Sequence, residues 1–114
     1  MALSEIQLAG LSTRLRKYCD DRVPAHVRDQ LRLDFRASGS AVELFEVRPR
    51  FDKREEWIEH GVAKFRYVAS KKTWELYCLH RDLRWHSYQR MPRAKSFDRL
   101  LREVDADPTG IFWG

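Results

Sequence analysis

The side chains with most chemical potential crowd between Cys78 and Tyr88, in the run Cys78-Leu79-His80-Arg81-Asp82-Leu83-Arg84-Trp85-His86-Ser87-Tyr88. In an extended strand Asp82, Arg84 and His86 share one face. A carboxylate, a guanidinium and an imidazole so placed offer a metal ligand, a phosphate clamp and a general base, the parts of a small hydrolase. Carboxylates suited to two-metal chemistry are not clustered with them, so the hydrolase stands as an outside alternative and no catalytic residue is assigned. Cys78, His80 and His86 are too few and too loosely spaced for a zinc site. A buried thiol with surface imidazoles accounts for them, and neither a metal nor a cofactor is expected. The sequence His80-Arg81-Asp82-Leu83 copies the opening of a kinase catalytic loop. Ser87 stands where that loop needs asparagine, no glycine-rich phosphate loop is present, and 114 residues cannot build that fold.

A second pattern is electrostatic. Residues 61–95 hold nine lysines and arginines against Glu75 and Asp82, a local excess of +7 within a chain whose formal net charge is +5. A concentrated positive field favours anionic partners. Strand alternation places Leu31, Leu33, Phe35, Val42, Leu44, Ala63, Phe65, Tyr67, Trp74, Leu76, Cys78, Leu83 and Trp85 on a core face. The opposite face then receives Arg32, Arg36, Phe45, Lys64, Arg66, Tyr77, Arg84, His86 and Tyr88. Cations mixed with rings suit single-stranded nucleic acid, because charges neutralise phosphates while rings stack on bases. Arg32, Lys64, Arg66, Tyr77, Arg84, His86 and Tyr88 are therefore the expected nucleic-acid-binding residues. The competing account notes that Asp34, Glu43 and Glu75 share this face and can pair with its cations, leaving an ordinary solvated sheet.

Elements that position these residues follow from periodicity. Ser4 and Gln7 form a capping box, Leu3 and Leu8 a hydrophobic staple, and Leu8, Leu11, Leu15, Tyr18 and Cys19 an apolar helical stripe. Pro24 stops the helix; residues 25–30 fit either a helical turn or a strand entry. Alternation over 31–36 and from Val42 gives two strands around Ala37-Ser38-Gly39-Ser40, with a bulge or change of face at Leu44-Phe45 and a limit at Pro49. Residues 52–60 read as a charged connection anchored by Trp57. Strands are expected at 62–69, 73–80 and 83–89, with Pro92 ending the meander. Ser96 caps a last helix carrying Phe97, Leu100, Leu101 and Val104 inward, and Asp98 complements its dipole. The apolar tail Ile111-Phe112-Trp113 must dock within the chain or form a contact surface.

The expected fold is α+β: one domain over 1–114, with a five-stranded antiparallel sheet made of a hairpin plus a three-stranded meander. The N-terminal and C-terminal helices lie on one face of it. No apolar run suggests a membrane span or a signal peptide, and Cys19 and Cys78 read as reduced, buried thiols. A cytoplasmic location without membrane contact is expected.

Three stretches, Val42-Glu43-Leu44-Phe45-Glu46-Val47-Arg48-Pro49-Arg50, Arg81-Asp82-Leu83-Arg84-Trp85-His86-Ser87-Tyr88 and Phe112-Trp113-Gly114, resemble the small bacterial family known as domain of unknown function 3024. The likeness runs through nearly the whole chain. It implies a small bacterial cytoplasmic protein and brings no activity with it. The leading functional expectation is a non-catalytic binding module with a basic sheet face, for nucleic acid. The alternative is a protein-interaction module or homodimer using the aromatic tail.

Overall fold

The computed structural model describes residues 3–113; Gly114, the last residue of the expected tail motif, lies outside them. Helix α1 (Glu5–Arg22) opens with the expected capping box: the Gln7 backbone N–H donates to Ser4 Oγ at 3.2 Å, and the Ser4 N–H to Gln7 Oε1 at 3.1 Å. Leu11, Leu15 and Cys19 are buried along one stripe, whereas Leu8, expected on that stripe, is exposed. A single 3₁₀ turn at Ala25–Val27 follows Pro24, the helical turn rather than the strand entry.

Among the described residues six strands follow: β1 (Arg32–Ser38), β2 (Ala41–Pro49), β3 (Trp57–Val68), β4 (Thr73–Leu79), β5 (Trp85–Ser87) and β6 (Arg93–Ala94), then helix α2 (Phe97–Ala106). All pairings are antiparallel, in the order β1-β2-β3-β4-β5, with β6 also pairing β4. The α+β architecture is as expected, with two differences. Residues 57–60 do not belong to a loop; they continue β3 against Glu46, Val47, Arg48 and Pro49, because Trp57 and Ile58 carry strong strand propensity and the β2 partner runs on to Pro49. The last strand of the meander is only three residues long, and Pro92 does not end the sheet, since Arg93 and Ala94 rejoin β4 beyond it.

Both helices cover the same sheet face. Leu11, Leu15 and Cys19 of α1 and Phe97, Leu100, Leu101 and Val104 of α2 enclose one core with Leu33, Val42, Leu44, Phe65, Trp74, Leu76 and Cys78. Phe97 seats α2 by meeting the rings of Phe65 at 4.7 Å and Trp74 at 5.2 Å. Ser96 takes the extended N-cap conformation without any hydrogen bond from its side chain. Asp98 in the first turn instead pairs with Arg14 of α1 at 3.0 Å.

The predicted irregularity at Leu44-Phe45 is a β-bulge. Leu44 faces Ala63 while Phe45 faces Gly61, so Val62 is the extra residue and turns into the core. The tail docks within the chain. Asp107, at φ 44°, caps α2, and its carboxylate accepts the backbone N–H groups of Phe112 (3.1 Å) and Trp113 (2.9 Å). Trp113 donates its indole N–H to the Val104 carbonyl at 2.9 Å, and the Arg22 guanidinium lies 3.9 Å over its ring.

Candidate functional site

The helix-free face of the sheet is the candidate interface. Alternation and register place Arg32 and Arg36 there from β1, Glu43, Phe45 and Val47 from β2, and Trp57, Glu59, Gly61, Lys64 and Arg66 from β3, whereas the Asp34 carboxylate, expected on this face, is bound by Arg16 of α1 at 3.0 Å. Glu75, Tyr77 and Leu79 join them from β4, Trp85 and Ser87 from β5, and Arg93 from β6.

Of the expected binding residues, Arg32, Lys64, Arg66 and Tyr77 occupy this face. Arg32 lies 4.5 Å over the Trp57 ring. Lys64, between Glu43 and Tyr77, makes no ion pair with the described residues. Arg66 reaches Glu75 at 3.8 Å, and Tyr77 donates its hydroxyl to the same carboxylate at 2.7 Å. Burial, then that bond, raises the Tyr77 pKa.

The other three lie elsewhere. Arg84 sits in the turn between β4 and β5, exposed, with its backbone N–H donated to Asp82 Oδ1 at 3.0 Å. His86 pairs with Cys78 and so belongs to the helix-side face. Its ring stacks on His80 with centroids 4.0 Å apart, and its Nε2 lies 2.9 Å from Asp82 Oδ2. The His86 bond, reinforced by the Arg84 N–H, holds the Asp82 carboxyl below its usual range. Tyr88 is buried in the core, packed on Phe112 at 4.8 Å, with its hydroxyl donated to Glu103 Oε2 at 2.8 Å. Burial and that bond push its pKa up to about 12.

These corrections share one cause. The expected alternation phases Leu83 and Trp85 inward, but Leu83 is a turn residue at φ 63° and stands 75% exposed. The strand begins only at Trp85, and its register with β4 sets Trp85 opposite Leu79, so Trp85 turns outward while His86 and Tyr88 turn inward. Trp85 is half-buried and its ring lies across Gly61: a Cβ there would stand 3.0 Å from Trp85 Cη2 and 3.3 Å from Leu79 Cδ2. The missing side chain at Gly61 makes room for the indole. Phe45, only 8% exposed, fills the same row of the sheet beneath Arg36, whose guanidinium carbon is 4.2 Å from the ring centroid. Trp85 is the site residue that alternation misses; the visible signal is a lone glycine inside a strand pattern, which marks a close approach.

The charges on this face alternate. Arg36 pairs with Glu59, and Arg66 and Arg93 flank Glu75. At the ends of the same strands Lys71, Lys72 and Arg84 are exposed and unpaired among the described residues. The opposite side of the sheet carries a separate cleft of about 670 Å³ between α1, β1, β2 and the tail, walled by Tyr18 and Trp113 and floored by Val23, Leu31 and Leu33. Among the described residues no cluster of three histidines, cysteines or carboxylates is placed to hold a metal ion.

The chain matches the model of the domain of unknown function DUF3024 over residues 3–114. It belongs to that family. No curated protein and no solved structure matches it. For this DUF3024 member the side-chain arrangement itself supplies the functional reading. Burial sets the thiols aside, pushing Cys19 up to about 11 and raising Cys78 as well, so both stay protonated near neutral pH.

Proposed function

We propose that this protein is a binding module that takes single-stranded nucleic acid on the helix-free face of its sheet. The observation that supports this most is Trp85 lying across Gly61 on a face neither helix covers, with Leu79, Phe45 and Tyr77 beside it. A sheet face left to water is normally polar. Here an aromatic row crosses it, flanked by Lys64 and Arg66 on one side and by Arg32 over Trp57 on the other. Stacking platforms bordered by cations suit bases and phosphates of a flexible strand. Glu59 and Glu75 hold Arg36 and Arg66 in place, and together with Glu43 they lower the net field, which favours a modest, salt-sensitive affinity.

The test is a titration with short single-stranded and duplex oligonucleotides at low salt. Removing Lys64 and Arg66 together is expected to weaken single-strand binding and to flatten the log–log salt slope by about 1.4, roughly 0.7 for each phosphate no longer neutralised. Trp85→Ala is expected to cost about 1–3 kcal/mol of affinity while leaving that slope nearly unchanged. Tyr88→Phe is expected to leave binding alone, since Tyr88 lies under the helices. Wild-type protein that binds no oligonucleotide at high micromolar concentration overturns the proposal.

A further inference from the structure

We propose that the turn between β4 and β5 extends the single-strand site: Leu83 is an apolar wedge against the base next to the one on Trp85, and Arg81 and Arg84 hold the phosphates beside it. This rests on the reading of the helix-free face given above. The starting point is a residue whose backbone conformation does not suit its type. The Leu83 N–H donates to the His80 carbonyl at 2.9 Å and the His80 N–H to the Arg84 carbonyl at 3.1 Å, which closes a short hairpin turn with Leu83 left-handed at φ 63°. In turns of this kind that position ordinarily belongs to glycine. Leucine there is strained, and its side chain makes little contact with its own chain, the residue being 75% exposed. Two other left-handed residues have ordinary reasons: Asp107 receives the Phe112 and Trp113 N–H groups, and Lys72 keeps its charge in water. Leu83 alone combines the strain with an exposed apolar tip. Both features cost stability, and such outliers gather where a ligand is held.

The turn is braced from within. Asp82 accepts the Arg84 N–H at 3.0 Å through Oδ1, its Oδ2 lies 2.9 Å from His86 Nε2, and the His86 ring stacks on His80. The one carboxylate of the turn is thereby spent on the turn itself. Arg81 and Arg84 are both exposed and form no ion pair among the described residues. An apolar tip between two free guanidiniums is complementary to a base with a phosphate on either side. Leu83 and Trp85 are two residues apart, so their Cα atoms are within about 7 Å, and neighbouring nucleotides of one strand can reach both. A leucine inserted between bases unstacks them. The ligand this favours is a strand whose bases part readily, a pyrimidine run rather than a well-stacked purine run.

The probes are labelled oligothymidylate and oligoadenylate of about eight nucleotides, followed by fluorescence anisotropy. Wild type is expected to bind the thymidylate more tightly. Leu83→Gly relieves the backbone strain and is expected to raise the melting temperature by about 4 °C. The same variant is expected to bind thymidylate about fivefold more weakly, the low end for a base-stacking side chain, to lose the preference over adenylate, and to keep the salt slope. Leu83→Asn, which also tolerates a left-handed backbone, is expected to behave alike, so the result does not hinge on the flexibility of glycine. Arg81→Gln combined with Arg84→Gln is expected to flatten the log–log salt slope by about 1.4. Thymidylate binding undiminished in Leu83→Gly overturns the wedge and leaves the tip to a protein partner. A lower melting temperature in that variant, or a wild type that prefers adenylate, overturns it as well. If Trp85→Ala loses binding that Leu83→Gly retains, the wedge fails and the sheet-face reading stands; if wild type binds neither oligonucleotide, both fail.

Discussion

Tyr88→Phe removes one atom and interrogates the reversed phase of the last strand. The hydroxyl donates to Glu103 Oε2 at 2.8 Å, in a place where Glu103 has one other partner, Arg90 at 3.3 Å. Glu103 is only 15% exposed at its side chain, so water replaces the lost donor poorly. A hydrogen bond to a charged group contributes about 1.5–3 kcal/mol; with Arg90 still in place the lower figure applies, about 1.5 kcal/mol. For a chain of this size that lowers the melting temperature by about 6 °C at neutral pH. The phenyl ring still packs on Phe112, so only the hydroxyl is removed. The pH dependence has a defined sign. Folding raises the Tyr88 pKa to about 12, so the native state favours the protonated phenol. The stabilisation is full below the ordinary tyrosine pKa of about 10 and is lost as pH rises from there through the folded value. Wild type and variant, melted side by side by circular dichroism, should differ at pH 7 and converge between about pH 10 and 12. Equal melting temperatures at neutral pH would place Tyr88 in solvent and refute the inward phase of residues 86–88.

Trp74 and Trp85 should separate cleanly in thermal melts: Trp74→Ala empties a core site and costs about 3–5 kcal/mol, while Trp85→Ala, half-buried on the open face, costs about 1–2 kcal/mol. Asp107→Ala strips the acceptor from the Phe112 and Trp113 N–H groups and should destabilise by about 1–2 kcal/mol, with Trp113 fluorescence moving toward that of a solvated indole. Asp82→Asn should be less stable than wild type at pH 7. Because the folded Asp82 pKa is depressed, that difference should vanish as pH falls through the lowered value, and a gap that persists in acid would contradict the His86 contact.

Local signals carry much of the architecture. The Ser4–Gln7 capping box, the Leu11-Leu15-Cys19 stripe, the alternation at Leu33 and Val42, the bulge at Leu44-Phe45 and the inward set Phe97, Leu100, Leu101 and Val104 all depend on neighbours within a few residues, so composition and spacing reveal them. The family likeness is legible in three short stretches for the same reason, and the match over residues 3–114 confirms it. Phase is not legible at the β4–β5 turn. Whether Leu83 begins a strand or closes a turn depends on the hydrogen bonds His80 N–H to Arg84 carbonyl and Arg84 N–H to Asp82, and a slip of one residue exchanges the two faces. That single decision sends Trp85 to the open face and Tyr88 into the core. Glu46 divides between the two levels: unbroken alternation from Val42 and Leu44 phases it toward the helices, but its burial depends on the tail, which Asp107 ties down beside it. Side-chain spacing along a chain fixes which residues are two or four apart. Which faces meet is fixed only when the strands find their register, because that depends on partners distant in sequence.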